Sequence, residues 1–183
     1  MSDEILIQKI AKGDAQAFGK LVERYQHRLV RFAERMLGDA DTAQDIAQET
    51  FLRLWRVRSR CPAPADLNCY LLQIARNLCL DSLRSHHPAE ILDERTESLP
   101  TSEEGIAASV QAKTLAELVR CSVRALPEPQ RVVFILSHYE ELSYREIAAV
   151  VGCPIGTVAS RKFQAVETLR RRLKPWIEGD ARQ

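Results

Sequence analysis

The 183-residue chain has no C-x-x-C pair, and its five cysteines, Cys61, Cys69, Cys79, Cys121 and Cys153, are odd in number. That argues against both a zinc ribbon and a disulfide framework. The cysteines read as small buried side chains, with Cys61 and Cys69, on either side of a proline-containing loop, as the one pair to consider for redox chemistry. No apolar run approaches the roughly 20 residues of a membrane span; the longest clean one is Val132 to Leu136. The start, MSDEILIQKIAKGD, is acidic where a secretory signal would be basic, so the expected compartment is the cytoplasm. A Gly-rich phosphate loop, an H-E-x-x-H helix and a nucleophile elbow are all missing. His86 and His87 are adjacent and diverge on a helix rather than converge on one ion. The expectation is therefore a protein that is not an enzyme, with no cofactor and no metal.

Net charge is also small, at +1, but it is unevenly placed. Residues 1–84 carry net +2, residues 85–108 net −5 and residues 109–183 net +4. A near-neutral total thus hides two mildly basic blocks joined by an acidic tether. With 45% hydrophobic and 28% charged residues, the composition is that of a folded chain.

What is present is helical periodicity. Ile5, Ile7 and Ile10 suggest a short helix ended by Gly13. Asp14 caps the next, whose apolar stripe runs from Phe18 through Leu21, Val22, Tyr25, Leu29, Phe32 and Ala33 to Met36, with Gly38 as its stop. A third helix starts in the acidic GDADTAQD, ends among Arg53, Arg56, Arg58 and Arg60, and turns Ala43, Ile46, Ala47, Thr50, Phe51 and Leu54 inward. The loop SRCPAPAD interrupts. A fourth helix puts Leu67, Leu71, Ile74 and Leu78 inward and leaves Arg76, Asn77 and Arg84 outside. From Ser85 to about Gly105 the periodicity fades into an acidic linker. Beyond it Ile106, Val110, Leu115, Leu118, Val119, Val123 and Leu126 mark another helix, and Pro127 suits the first position of the one that carries Val132, Val133 and Leu136. The fold class is all-α: two small helical domains at residues 1–86 and 109–177, joined by a linker at 87–108.

The most specific pattern lies near the carboxyl end. Ser143 with Glu146 three residues on is a capping box, Gly152 supplies a turn that β-carbons resist, and Pro154 suits the opening of the next helix. Ile147, Val151 and Val158 then form the small core of a helix-turn-helix. In such a unit the second helix enters the DNA major groove with its first turns at base edges. Thr157, Ser160, Arg161, Lys162, Phe163 and Gln164 occupy those turns. Arg170, Arg171, Arg172 and Lys174 extend the positive charge toward phosphates.

Here the chain resembles a family. LPEPQRVVFILSHYEELSYREIAAVVGCPIGTVASRKFQAVETLRRRL is similar to region four of extracytoplasmic-function (ECF) sigma factors, which run close to L-S-Y-x-E-I-A-x-x-x-G-x-P-x-G-T-V-x-S-R. DTAQDIAQETFLRLWR and YLLQIARNLCLDSLR resemble the family's region two. The resemblance implies a factor that binds core RNA polymerase, directs it to promoters and is commonly held by an anti-sigma factor. It would reside in the bacterial cytoplasm and join the nucleoid in holoenzyme. It implies that Asp45, Gln48, Glu49, Phe51 and Trp55 grip the polymerase clamp. Arg76, Asn77 and Arg84 would read and melt the minus-ten element, while the carboxy-terminal helix-turn-helix reads the minus-thirty-five duplex. The chain departs from the family where a Phe-rich, Gly-containing loop followed by Trp is replaced by SRCPAPADLNC and Tyr70, and where Ala159 stands in place of a basic residue.

Overall fold

A computed structural model describes residues 2–60, 67–86 and 115–179. The loop at 61–66 with Cys61, the acidic linker at 87–108, and the expected helix start around Ile106 and Val110 lie outside the described residues. Among those described, all regular structure is helical: α1 (Asp3–Ala11), α2 (Ala15–Leu37), α3 (Ala40–Arg56), a 3-10 turn (Arg58–Arg60), α4 (Leu67–His86), α5 (Leu115–Arg124), α6 (Glu128–His138), α7 (Tyr144–Val151) and α8 (Ile155–Gly179).

Local chemistry sets these boundaries. The Asp14 carboxylate accepts from the amides of Gln16 and Ala17 and starts α2, satisfying donors that the first turn leaves over. Gly38 ends α2 in the left-handed conformation, φ 78°, with its N–H on the Glu34 carbonyl. Asp39 then caps α3 through the Thr42 amide. Pro127 is the cap residue before α6 rather than its first residue, because its carbonyl already accepts from Gln130 and Arg131.

The first unit, α1–α4, is built on α2, whose buried stripe of Leu21, Leu29, Phe32, Ala33 and Met36 meets α1, α3 and α4. Each such side chain removed from water contributes about 1.5–3 kcal/mol before chain entropy is offset. All six expected core residues of α3 are buried, and the hydroxyl of Thr50 is satisfied by the Ile46 carbonyl. In α1 it is Leu6, with Ile7 and Ile10, that is buried, while Ile5 is 46% exposed. Two of the three expected positions hold, and Leu6 takes the place of Ile5. Asp3 ties α1 to α2 by accepting from Arg24 and from the Tyr25 hydroxyl. Burial, followed by that bond to Asp3, pushes the Tyr25 phenol up to about 12.

In the second unit, α8 lies against α5, α6 and α7 and buries Val158, Ala165 and Leu169. The two units also touch: α2 packs on α5 and α6, and α4 packs on α7. This accounts for a departure in α4. Leu67 and Leu71 are buried as expected, and Ile74 and Leu78 are half-buried, but Leu72, Ala75, Cys79 and Leu80 are buried as well. A helix with one covered side needs one apolar stripe; α4 has three packing neighbours, α2, α3 and α7, and needs more.

Candidate nucleic-acid interface

The helix-turn-helix is assembled from local bonds before it is assembled from packing. The Ser143 hydroxyl accepts from the Glu146 amide, and the Glu146 carboxylate accepts in return from the Ser143 amide at 2.8 Å and its hydroxyl at 2.6 Å. These bonds hold the Glu146 carboxyl below its ordinary range. At the far end of α7, Gly152 has φ 73°, and its N–H returns to the Ala148 carbonyl. The Pro154 carbonyl accepts from Thr157 and Val158 and opens α8. Ile147, Val151 and Val158 are buried between the two helices. The chain enters the motif through Glu141, a non-glycine residue at φ 56°.

With its inner side fixed, α8 presents the six expected residues on its first turns. Ser160, Phe163 and Gln164 are exposed, and Thr157, Arg161 and Lys162 are half-buried. Phe163, 68% exposed, is the most open large apolar side chain described. In a major groove an exposed ring of this kind suits a thymine methyl, while Arg161 and Lys162 suit guanine edges and phosphates. The cations are braced: the Arg161 guanidinium sits 3.8 Å from the Cys153 sulfur, and the Lys162 ammonium lies 5.1 Å from the Tyr144 ring centroid. Gln130 of α6 donates to the Gln164 amide oxygen. Not all of the basic tail faces outward. Arg170 pairs with Glu167, and Arg172 turns in to the Ser122 carbonyl of α5, where burial lowers its pKa. The expectation that Arg172 joins a phosphate-facing run is corrected on this point, because α5 lies across its side of α8.

The residues expected on α4 are less uniformly placed. Asn77 and Arg84 are exposed, the latter 3.9 Å from Asp81. Arg76 is half-buried rather than outside; it donates one bond to Asn77, and its Nε is buried without a partner.

On α3, Asp45, Gln48 and Leu52 are exposed along one side, with Glu49 and Trp55 half-buried beside them. Glu49 accepts from Arg53 at 3.1 Å and Arg56 at 3.3 Å. Trp55 leans on Phe18 at 4.8 Å, with the Arg58 guanidinium 4.7 Å over its ring. Phe51 is different. It is 5% exposed and edge-on to Phe18, a core residue and no part of the accessible face.

Sequence reasoning missed the cations that link the units. Arg28 and Glu140 are 112 residues apart and bonded at 2.5 Å, and Arg131 reaches the Met36 carbonyl at 2.7 Å. A single long-range pair leaves no periodic trace, and only the isolated Glu140-Glu141 dipeptide between two apolar segments hints at it.

Comparison with known proteins follows the same two units. The description Sigma-70 region 2 matches residues 21–88, and Sigma-70, region 4 matches residues 116–169. The RNA polymerase sigma-H factor of Pseudomonas aeruginosa is 32% identical over 184 residues, covering 96% of this chain and 95% of that protein. The ECF RNA polymerase sigma-E factor of Escherichia coli K12 is 29% identical over 186 residues, covering 97% of each. Among solved structures, CnrH in complex with the cytosolic domain of CnrY shares the fold at TM-score 0.70 and 23% identity, over 95% of this chain and 98% of that one. The sigma factor RpoE in complex with the anti-sigma factor NepR, from Bartonella quintana, does so at TM-score 0.67 and 22% identity, over 86% and 96%.

Proposed function

The chain belongs to the ECF branch of the sigma-70 family and is an alternative sigma factor that directs RNA polymerase to promoters; from that premise we propose how its surfaces divide the work. Residues 1–86 form the unit that docks on polymerase and handles the minus-ten element, 87–108 the tether, and 109–177 the unit that reads the minus-thirty-five duplex. Asp45, Gln48, Glu49 and Trp55 make the polymerase contact. An aromatic anchor braced from behind, among polar neighbours, suits a protein interface. Thr157, Ser160, Arg161, Lys162, Phe163 and Gln164 read double-stranded DNA. Asn77, Arg84 and Arg76 receive unstacked bases of the opened strand through hydrogen bonds and charge.

The observation that carries this reading is α8 itself: a capped, glycine-turned helix-turn-helix whose second helix offers an exposed ring and braced cations on its first turns. The second block is only mildly basic, so by itself it would hold few phosphates, and affinity tracks the number neutralised. Polymerase supplies the remainder. The chain performs no reaction of its own, acts in the cytoplasm, and associates with the nucleoid as part of holoenzyme; no described helix is long and apolar enough to cross a membrane. Because both structural neighbours carry a protein partner, one of them described as an anti-sigma factor, this chain is proposed to be held by such a partner too. Run-off transcription with purified core polymerase on a genomic library tests the reading. Selection of a discrete promoter set with a shared pair of elements supports it. Absence of binding to core polymerase, with duplex binding retained, would make the chain a helix-turn-helix repressor or activator.

A further inference from the structure

We propose that Gln130 is a positioning residue for promoter reading: by holding the oxygen of the Gln164 amide it turns the Gln164 amine to the groove, so that this position selects keto-bearing bases over amino-bearing ones. The proposal rests on the functional reading of α8 above and adds a rule of selection to it. Gln130 stands in the first turn of α6, where its backbone N–H bonds to the Pro127 carbonyl. Its side-chain Nε2 donates to Gln164 Oε1 at 3.4 Å across the contact of α6 with α8. Both ends of that bond are carried on a packed base. Val132 and Val133 follow Gln130 into the core, and Ala165, next to Gln164, is fully buried. The separation of the two amides is thus set by helix packing.

The other half of the Gln130 amide argues against a role within the core. Its Oε1 is buried and has no hydrogen-bond partner among the described residues. A buried acceptor left unmade costs stability, so this side chain is not explained as a brace for α6. Its one side-chain bond reaches outward instead, to a residue exposed on the reading helix. Gln164 follows Ser160 and Arg161 by one turn and shares their side of α8. It joins Arg161 and Lys162 as a side chain held from outside that helix, they by Cys153 and Tyr144.

The bond decides what Gln164 can read. An unconstrained glutamine reads adenine by presenting its oxygen and its amine together, to N6 and N7. The oxygen and the nitrogen of a primary amide point apart in one plane, so Gln164 does not present both while its oxygen is turned to Gln130. What it offers the groove is the amine, a donor only. In the major groove guanine O6 and thymine O4 accept where adenine N6 and cytosine N4 donate. A donor at position 164 therefore favours guanine or thymine, and it meets the amines of adenine and cytosine as like against like.

The test uses holoenzyme made from the full chain and core polymerase. The template is a promoter recovered in the genomic run-off assay and randomised through its minus-thirty-five element, and the sequenced transcripts give a preference at every base. Gln164→Ala should erase a keto preference at one base and spare the others. Gln130→Met, which keeps the side-chain length without the amide, should reduce that preference by about fivefold and let adenine rise, because the Gln164 amide is then free to turn. Gln130→Glu should invert it. A carboxylate only accepts, so it takes the Gln164 amine and leaves the oxygen for amino-bearing bases. Either substitution at 130 decides the matter if the other does not fold. A purely structural role would lower initiation on all sequences alike and move no preference, which overturns the inference. So does a wild type that prefers adenine at that base, or a Gln164→Ala variant that loses no preference while Arg161→Ala does. In these cases α8 remains the reading helix. If Gln164→Ala and Arg161→Ala alike shift no preference, α8 does not read the element and the functional reading falls with the inference.

Discussion

The exposed faces of α3 and α8 differ in charge, mixed on the first and cationic on the second, and are alike in design. On α3, Gln48 and a Glu49 paired with Arg53 and Arg56 lie beside Leu52 and Trp55, the indole being wedged between Phe18 and Arg58. On α8 a cationic surface surrounds Phe163, with Arg161 and Lys162 leaning on Cys153 and Tyr144. Both place one large apolar group among charges that local contacts restrain, which lowers the entropy lost when a partner arrives. They differ in what lies behind. Trp55 is supported by a buried core through Phe18 and Phe51, as a protein contact dominated by a few anchors needs. Phe163 is 68% exposed and projects from α8 among its cations, as suits a groove with many weak contacts.

The sharpest break in that comparison comes from the anchored side. Replacing Asp45, Gln48 and Trp55 together by alanine should reduce core polymerase affinity by at least about 100-fold, from a loss of some 3 kcal/mol or more at a central anchor. Duplex binding should stay unchanged, as checked by polymerase titration and DNA gel shift side by side. Arg161→Ala is the converse. A base-edge arginine is worth about 1–3 kcal/mol, so initiation in run-off assays should fall around tenfold while polymerase affinity holds. Equal loss of both in either variant would mean that the faces are not separable.

Smaller effects probe the scaffolds beneath. Gly38→Ala forces a β-carbon into a left-handed position that Arg124 already crowds. About 1–2 kcal/mol of destabilisation is expected, a drop of a few degrees in Tm by calorimetry. The smallest is alkaline. The Tyr25 phenol, raised to about 12 by burial and by Asp3, keeps its proton in the folded chain where an unfolded one has released it. Stability from this group is therefore whole below pH 10 and is lost as pH rises toward 12. Tyr25→Phe should flatten that part of a denaturation profile against pH.

Much of this architecture was legible from residue order because it is written in local chemistry. Asp14, Gly38, the Ser143 and Glu146 box and Gly152 act over four residues or fewer, and each stands where its chemistry placed it. The stripe of α3 was legible in full because that helix buries one side. What failed to show depends on neighbours distant in the chain. The added buried positions of α4, Leu72, Ala75, Cys79 and Leu80, have meaning only once α2, α3 and α7 are known to pack around that helix. Arg172 follows a charged run yet bends to α5, and Phe51 shares a helix with surface residues yet faces Phe18. Of the candidate site, residue types and helix positions were readable; the bracing of Arg161 by a cysteine was not, since nothing in spacing distinguishes a supporting thiol from a filler.

Cys79 lies within α4 with no accessible surface, and burial pushes its thiol up to about 12. Nucleophilic sulfur is therefore almost wholly absent at Cys79 at neutral pH, and peroxides or alkylating electrophiles find nothing to modify at that position, whereas Cys69, near the start of the same helix, is half-buried. The segment of α4 from Arg76 to Arg84, whose one cysteine is Cys79, keeps its chemistry during oxidative insult.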